Sequence, residues 1–398
     1  VRVAGHCDPR LDRLRALAFA PRPIGAPRRI GAEIEWIPID PATRRVLPVA
    51  TSVAMLRAAG RGEWCEEMTP SGAPRFVLAD RSALSFEPGG QIEYSSPPST
   101  SASEVVARMR AVVARLSEFT LLTVGLDPVN PPEHAPLQLG GARYCGMDAY
   151  FRTIGPAGAR MMRQTAAYQV SLDRGADPGA EWRLLNALAP YAVATFANSP
   201  RYAGADTGHQ SYRAHTWRTL DPTRTGVFRG GDGDPAAEYL AFALRARTIL
   251  DPSHAPFGEL ALGDAAWETH LTTLFPEVRP RGTFELRSAD AVDPSWYAAP
   301  LAWLGGLVYD PVTARAAADL VGEADADRLV RAGVAGLKDP LIAAVACDLS
   351  DLAADGCRRL GPAFIDPVEL EQTSDLFDRY TRRGRSPADD TRSVTAPS

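Results

Sequence analysis

Two hydrophobic periods run through this chain, and the change from one to the other marks its elements. From Arg29 the period is two. Ile30, Ala32, Ile34 and Trp36 alternate with Gly31, Glu33 and Glu35, which predicts a half-buried strand with both carboxylates on the face away from the core. The same alternation returns in Ala167 to Asp173, where Tyr168, Val170 and Leu172 oppose Gln169, Ser171 and Asp173. It returns again in Gly282 to Ser288, where Phe284 and Leu286 oppose Thr283, Glu285 and Arg287. A further strand-like run, Ser85 to Pro98, carries Glu87 and Glu93 on either side of Pro88-Gly89-Gly90. It reads as one strand kinked at that break, because glycine admits a close backbone approach and proline lacks a ladder donor. Residues an even number apart in a strand share a face, so Glu87 and Glu93 share one unless the kink inserts a residue. Arg75 to Ala79 reads as a neighbouring strand.

Elsewhere the period is helical. Ser101 and Glu104 form a capping box ahead of Val105, Val106, Met109, Val112, Val113 and Leu116, which predicts a helix covering the sheet on the side opposite the acids. Arg143 to Phe151 and Gly155 to Arg163 read as two helices joined by a Gly-Pro turn; Glu181 to Ala197 and Glu238 to Leu250 are helical as well. Beyond Pro300 the chain is Ala/Leu-rich helix over Ala302 to Tyr309, Val312 to Ala335, Pro340 to Leu360 and Pro367 to Arg382, and reads as scaffold. The expected organisation is one domain over residues 1–382, with a sheet-bearing part at 29–309 and a helical part at 310–382. A disordered Pro/Ser/Thr/Asp/Arg-rich tail is expected over 383–398.

Composition narrows the function classes. The chain has 398 residues, 45% hydrophobic and 23% charged, enough to bury a large core. A formal net charge of -5 argues against a general nucleic-acid binder. No apolar run approaches the roughly 20 residues that span a bilayer, and Val1 to Pro9 lacks a signal pattern, so a cytoplasmic protein is expected. Cys7, Cys65, Cys145, Cys347 and Cys357 are scattered without C-x-x-C spacing, which points to reduced thiols rather than a zinc site or a disulfide framework. Lys338 is the only lysine. A phosphate site must therefore be built from guanidinium groups, backbone amides and metal.

The candidate chemistry lies in the sum of the strands. Each places apolar side chains on one face and acids, an amide or an arginine on the other, predicting a sheet with a helix-covered back and an acid-lined front. Glu33, Glu35, Glu87, Glu93 and Glu285 on one concavity repel strongly unless cations sit among them. Oxygen donors without a His or Cys cluster favour Mg²⁺ or Mn²⁺ over zinc. Divalent metal beside Arg287 is equipment for phosphoryl transfer. Arg224, with Arg218 upstream, is a candidate anion holder in the turn Asp221 to Gly226, against the plainer reading of solvent-exposed arginines. No G-x-S-x-G elbow, Cys/His pair or P-loop is present, in keeping with chemistry that needs no protein nucleophile.

Six stretches together resemble the glutamate-cysteine ligase family, in its plant-type branch and the bacterial relatives that make γ-glutamylcysteine for ergothioneine or glutathione. They are Gly31 to Trp36, Phe86-Glu-Pro-Gly-Gly-Gln-Ile-Glu93, Arg143-Tyr144 with Met147, Met161 to Asp173, Asp221-Pro-Thr-Arg-Thr-Gly226 and His270 to Arg287. The resemblance runs in order from about Arg29 to about Tyr309. It implies an α+β, glutamine-synthetase-like fold: a curved, mainly antiparallel sheet with helices on its outer face, the active site in the cupped face and an all-helical C-terminal portion. It also implies a catalytic domain that uses ATP and Mg²⁺, with Mn²⁺ as a substitute, to phosphorylate the γ-carboxylate of glutamate. The amine of cysteine then displaces phosphate. By motif, Glu33, Glu35, Glu87, Glu93, Glu285 and Gln169 are implied metal-side residues. Glu87, Glu285 and Arg287 are implied catalytic residues, with Arg287 beside the transferred phosphoryl group. Arg213, Trp217, Arg224, Arg143, Tyr144, Met147 and Met162 are implied to line the substrate and ATP pocket; ordinary packing is the competing reading for Arg143, Tyr144, Met147 and Met162. The partners implied are small molecules, with no nucleic acid and no membrane. Two other readings stay open: a carboxylate-amine ligase with another acceptor or acid, and a non-catalytic relative that binds nucleotide or amino acid.

Overall fold

The computed structural model describes residues 8–230 and 233–393. Its organising element is a sheet of nine strands: β1 (Ile30–Ile39), β2 (Cys65–Met68), β3 (Pro74–Val77), β4 (Ala83–Phe86), β5 (Ile92–Ser95), β6 (Thr120–Leu122), β7 (Ala167–Leu172), β8 (Val278–Pro280) and β9 (Phe284–Asp290). In space the order is β8-β9-β7-β1-β5-β4-β3-β2, with β6 pairing β1 alongside that path. Every pairing in this sheet is antiparallel. The period-two segments thus become central strands. Two-faced patterning specifies register, since a one-residue slip would turn each acid into the core.

Registration brings the acids together. β1 pairs β5 with Glu35 opposite Glu93, and pairs β7 with Glu33 opposite Gln169. β7 pairs β9 with Ser171 opposite Glu285. The other face is dry: Ile34, Trp36, Ile92, Tyr94, Tyr168, Val170 and Leu286 share one core with Val105, Val106 and Met109 of helix Ala102–Arg115 and with Leu301 and Leu304 of helix Ala298–Tyr309. Two polar groups of this face are partnered within the core. Trp36 Nε1–H donates to the Tyr297 hydroxyl at 2.9 Å, and the Tyr168 hydroxyl donates to the Tyr297 carbonyl at 2.8 Å.

The expectation of one kinked strand over Ser85–Pro98 is corrected. Pro88-Gly89-Gly90 is the turn of a hairpin joining β4 to β5, closed by Glu87 N–H to Gln91 carbonyl at 2.9 Å and Gly90 N–H to Glu87 carbonyl at 2.8 Å. Gly90 has φ +93, a backbone region side-chain-bearing residues avoid. Shared facing of the acids survives for a different reason. In the hairpin Ser85 lies opposite Glu93, so residues two apart from that pair, Glu87 and Gln91, fall on the same face.

Two other expectations change. The single helix over Val312–Ala335 is two, Pro311–Val321 and Ala326–Ala335, parted at Gly322, whose φ of +63 ends the first, while Asp325 caps the second. The disordered tail is corrected as far as Ser393: Pro387–Ser393 is helical, Ala388 is fully buried, and Ala388 N–H donates to the Ala197 carbonyl at 2.8 Å. Residues 394–398 lie outside the described residues. The scaffold helices Ala298–Tyr309 and Pro340–Leu360 meet at glycines; a Cβ on Gly306 would sit 2.2 Å from the Ala353 carbonyl oxygen. Among the described residues no helix is long and apolar enough to cross a membrane. Cys65, Cys145, Cys347 and Cys357 are free thiols, and Cys7 lies outside the described residues.

Candidate active site

The front of the sheet is the floor of a cavity of about 320 Å³. Glu33 and Glu35 of β1, Glu87 and Gln91 flanking the hairpin turn, Glu93 of β5, Gln169 of β7 and Arg287 of β9 line it from below. Arg143, Tyr144 and Met147 descend from helix Ala142–Arg152, Met161 and Met162 from helix Ala157–Gln164, and Arg213 and Trp217 from helix Tyr212–Arg218. Thr272, Phe275, Arg279 and Arg281 complete the wall. The hairpin turn reaches this place because position 89 has no side chain: a Cβ there would lie 2.1 Å from the Arg163 carbonyl oxygen.

Acids on the floor face arginines on the wall, and the two sets are unequally paired. Burial, and then Glu93 and Glu285, push the Glu33 carboxyl up to about 8; burial and Glu93 push Glu35 up to about 8 as well. Glu87 and Glu93 rise to about 7 through burial and neighbouring carboxylates. Glu285 goes the other way. Burial acts to raise it, but Arg279, Arg287 and Arg281 hold it below the usual glutamate value, with Arg279 Nη1 at 3.4 Å and Arg287 Nη1 at 3.6 Å. Hydrogen bonds fix the remaining floor: Ala167 N–H to Glu35 at 2.9 Å, Gln169 Nε2 to Glu35 at 3.3 Å, and the Ser85 hydroxyl to Glu93 at 3.1 Å.

Several buried polar atoms lining the site have no hydrogen-bond partner: Gln169 Oε1 and the Nε groups of Arg143, Arg213, Arg279 and Arg287. Such atoms are costly to bury unless something polar meets them. They make the cavity a receptor for a polar ligand bearing both anionic and cation-coordinating groups. Among the described residues no three His, Cys, Asp or Glu side chains converge as they stand on one point that would hold a metal ion.

Most of the expected residues meet here. Glu33, Glu35, Glu87, Glu93, Gln169, Arg143, Tyr144, Met147, Met162, Arg213, Trp217 and Arg287 all line the cavity. Arg224 does not, and both readings of it are corrected. It is fully buried, its Nε donates to Asp221 at 2.9 Å and its Nη1 to the Thr273 carbonyl at 2.8 Å, so it staples the 221–226 turn to the 273–275 segment. Arg218 is committed to Glu277 at 2.8 Å. Glu285 is close by but does not line the cavity. Its charge is met by two guanidinium groups, those of Arg279 and Arg287. Sequence reading missed Gln91, Met161, Thr272, Phe275, Arg279 and Arg281. The one available signal was Arg279-Pro280-Arg281 just before β9, two arginines on the hairpin that delivers Glu285 and Arg287.

The site is thus an antiparallel sheet whose polar face sets glutamates against arginines over one cavity. The family model of glutamate-cysteine ligase family 2 matches residues 29–396. The chain is 37% identical over 344 residues to glutamate-cysteine ligase EgtA of Mycolicibacterium smegmatis, covering 79% of this chain and 78% of that one. It is 31% identical over 405 residues to the chloroplastic glutamate-cysteine ligase of Arabidopsis thaliana, covering 91% of this chain and 75% of that one. Among solved structures, glutamate-cysteine ligase of Francisella tularensis in complex with AMP matches with a TM-score of 0.48 at 10% identity, covering 93% of this chain and 87% of that one. This protein belongs to glutamate-cysteine ligase family 2.

Proposed function

We propose that the protein uses ATP to join the γ-carboxylate of glutamate to the amine of cysteine, giving γ-glutamylcysteine, ADP and phosphate. The observation that carries the reading is the cavity itself: in a chain of this family, four glutamates and five arginines face one another over about 320 Å³. A carboxylate attacks a triphosphate poorly, because both are anionic. Arg279 and Arg287 reduce that repulsion, and their tie to Glu285 fixes them before substrate arrives. The γ-carboxylate oxygen bonds to the terminal phosphorus as the bond to ADP breaks. The uncharged amine of cysteine then attacks the acyl carbon, phosphate leaves, and the amine proton passes to solvent or phosphate.

The donors present suit Mg²⁺. Glu33, Glu35, Glu87 and Glu93 supply carboxylate oxygens, and Gln169 Oε1 is buried without a partner. When bound, Mg²⁺ would neutralise these carboxylates and offset the negative charge of the triphosphate. The wall of Met147, Met161, Met162, Trp217 and Phe275 suits the soft side chain of cysteine. Likeness to the EgtA enzymes supports supply of γ-glutamylcysteine for ergothioneine as the setting. Phosphate release measured with ATP, Mg²⁺ and glutamate, amines being varied one at a time, tests the reading. A rate that requires cysteine is expected; a rate that requires a different amine, or none with any amine, overturns it.

A further inference from the structure

Asp290 ends β9 opposite Ala167, past a bulge between Leu286 and Ala289 that adds one residue to the strand. It does not line the cavity, and it is 1% exposed. Three neutral donors fix its carboxylate: Asn198 N–H at 2.8 Å, the Ser199 hydroxyl at 2.7 Å and the Ser211 hydroxyl at 3.0 Å. Among the described residues, the one cation within 4 Å of it is Arg213, with Nη1 at 3.6 Å from Oδ1. Arg213 does line the cavity, is 3% exposed, and donates through Nη2 to the Arg287 carbonyl at 2.7 Å. Its Nε–H is buried without a partner. The Ser199 hydroxyl that holds Asp290 also accepts the Arg213 backbone N–H at 3.1 Å, so one small group ties both ends of the pair. The pocket around the carboxylate leaves no slack: a Cβ on Gly125 would lie 2.3 Å from Asp290 Cγ.

We propose that Asp290 is a positioning residue, which acts through Arg213 to present an N–H to an oxyanion of the substrates, the carboxylate of the amino acid or a phosphate of the nucleotide. A carboxylate held by three fixed donors cannot follow the guanidinium, so the guanidinium must follow it. This rests on the ligase reading above. It goes beyond that reading by assigning a function to a buried acid outside the cavity.

The test is a double-mutant cycle in the full chain with Asp290→Asn, Arg213→Ala and the pair, read as kcat and as KM for glutamate and for ATP separately. Asp290→Asn is expected to lower kcat/KM on the order of 100-fold, as for a misplaced binding group. The double variant is expected to be no worse than Arg213→Ala beyond about twofold. The substrate whose KM moves in both single variants is the one whose oxyanion Arg213 meets. Gly125→Ala, which crowds Asp290 without removing a polar group, should shift the same KM. Near-wild-type kinetics for Asp290→Asn, or losses that multiply in the double variant, overturn the proposal. Thermal shift with ATP or with glutamate alone gives a second readout. A wild-type chain that binds either yet turns over nothing defeats the ligase reading, while an unchanged ligand shift in Asp290→Asn defeats this one.

Discussion

At the scale of single residues, the glutamates divide by what compensates them. Glu87 faces neighbouring carboxylates in a buried site, so its negative charge is a burden until a cation arrives. Glu87→Gln should lower turnover roughly 100- to 1000-fold, the size of losing one preorganised electrostatic contact. In EDTA it should leave the melting temperature equal or higher, and a lower one would remove the repulsion argument. Glu285→Gln should behave oppositely, leaving Arg279 and Arg287 buried without their counter-ion, a loss of about 3–5 kcal/mol readable by urea denaturation. The pH dependence follows with its sign. In the unfolded chain glutamates titrate near 4.5, whereas in the folded metal-free protein Glu33 and Glu35 titrate near 8. The folded state keeps protons the unfolded state has shed. Their stabilising effect is complete below the unfolded value and disappears as pH rises through 8. Mg²⁺ should therefore raise the melting temperature more at pH 8.5, above the folded value, than at pH 5.5, where these carboxyls are still protonated in the folded protein; an equal or smaller effect at the higher pH counts against a metal held by these acids.

At the scale of elements, the hairpin between β4 and β5 shows where sequence reading succeeded and where it slipped. Pro-Gly-Gly announced a backbone close to something else, and parity placed Glu87 and Glu93 on one face. What parity could not separate is a kinked strand from a hairpin, since both conserve it here. The partner decided: Gly89 lies against the Arg163 backbone, a residue 74 positions away. Gly89→Ala should cost roughly 2–4 kcal/mol, because the contact is with backbone that cannot rotate aside. It should also lower activity by displacing Glu87. An unchanged urea midpoint would show that the turn is not seated as described. The same limit applies to Arg224. Its neighbours in sequence suggested an anion site, but its partners include the Thr273 and Arg247 carbonyls, long-range acceptors no local pattern reports.

For the whole molecule, the C-terminal segment links the helical scaffold to the sheet. Helix Pro387–Ser393 buries Ala388 beside Ala197, and the Thr391 hydroxyl donates to Asn198 Oδ1 at 2.6 Å, while Asn198 N–H holds Asp290. Polar composition made this stretch look unstructured, because the surface it covers is assembled from residues some 190 positions earlier. Ala388→Arg, forcing a guanidinium into that contact, should cost roughly 2–4 kcal/mol and lower the melting temperature; no change would show that the segment does not hold there. What the sequence determined alone is the periodic part: which residues of each strand face the core, that the opposite faces carry glutamates, and that arginine must supply the positive charge. Those follow from alternation and composition, which are local. Only the tertiary structure decided that Glu285 is a counter-ion, that Arg224 is a staple, that Arg279 and Arg281 join the wall, and that Asp290 stands behind Arg213. Each of these depends on which distant groups share a buried space, where charges pair or repel according to distance and not according to their order along the chain.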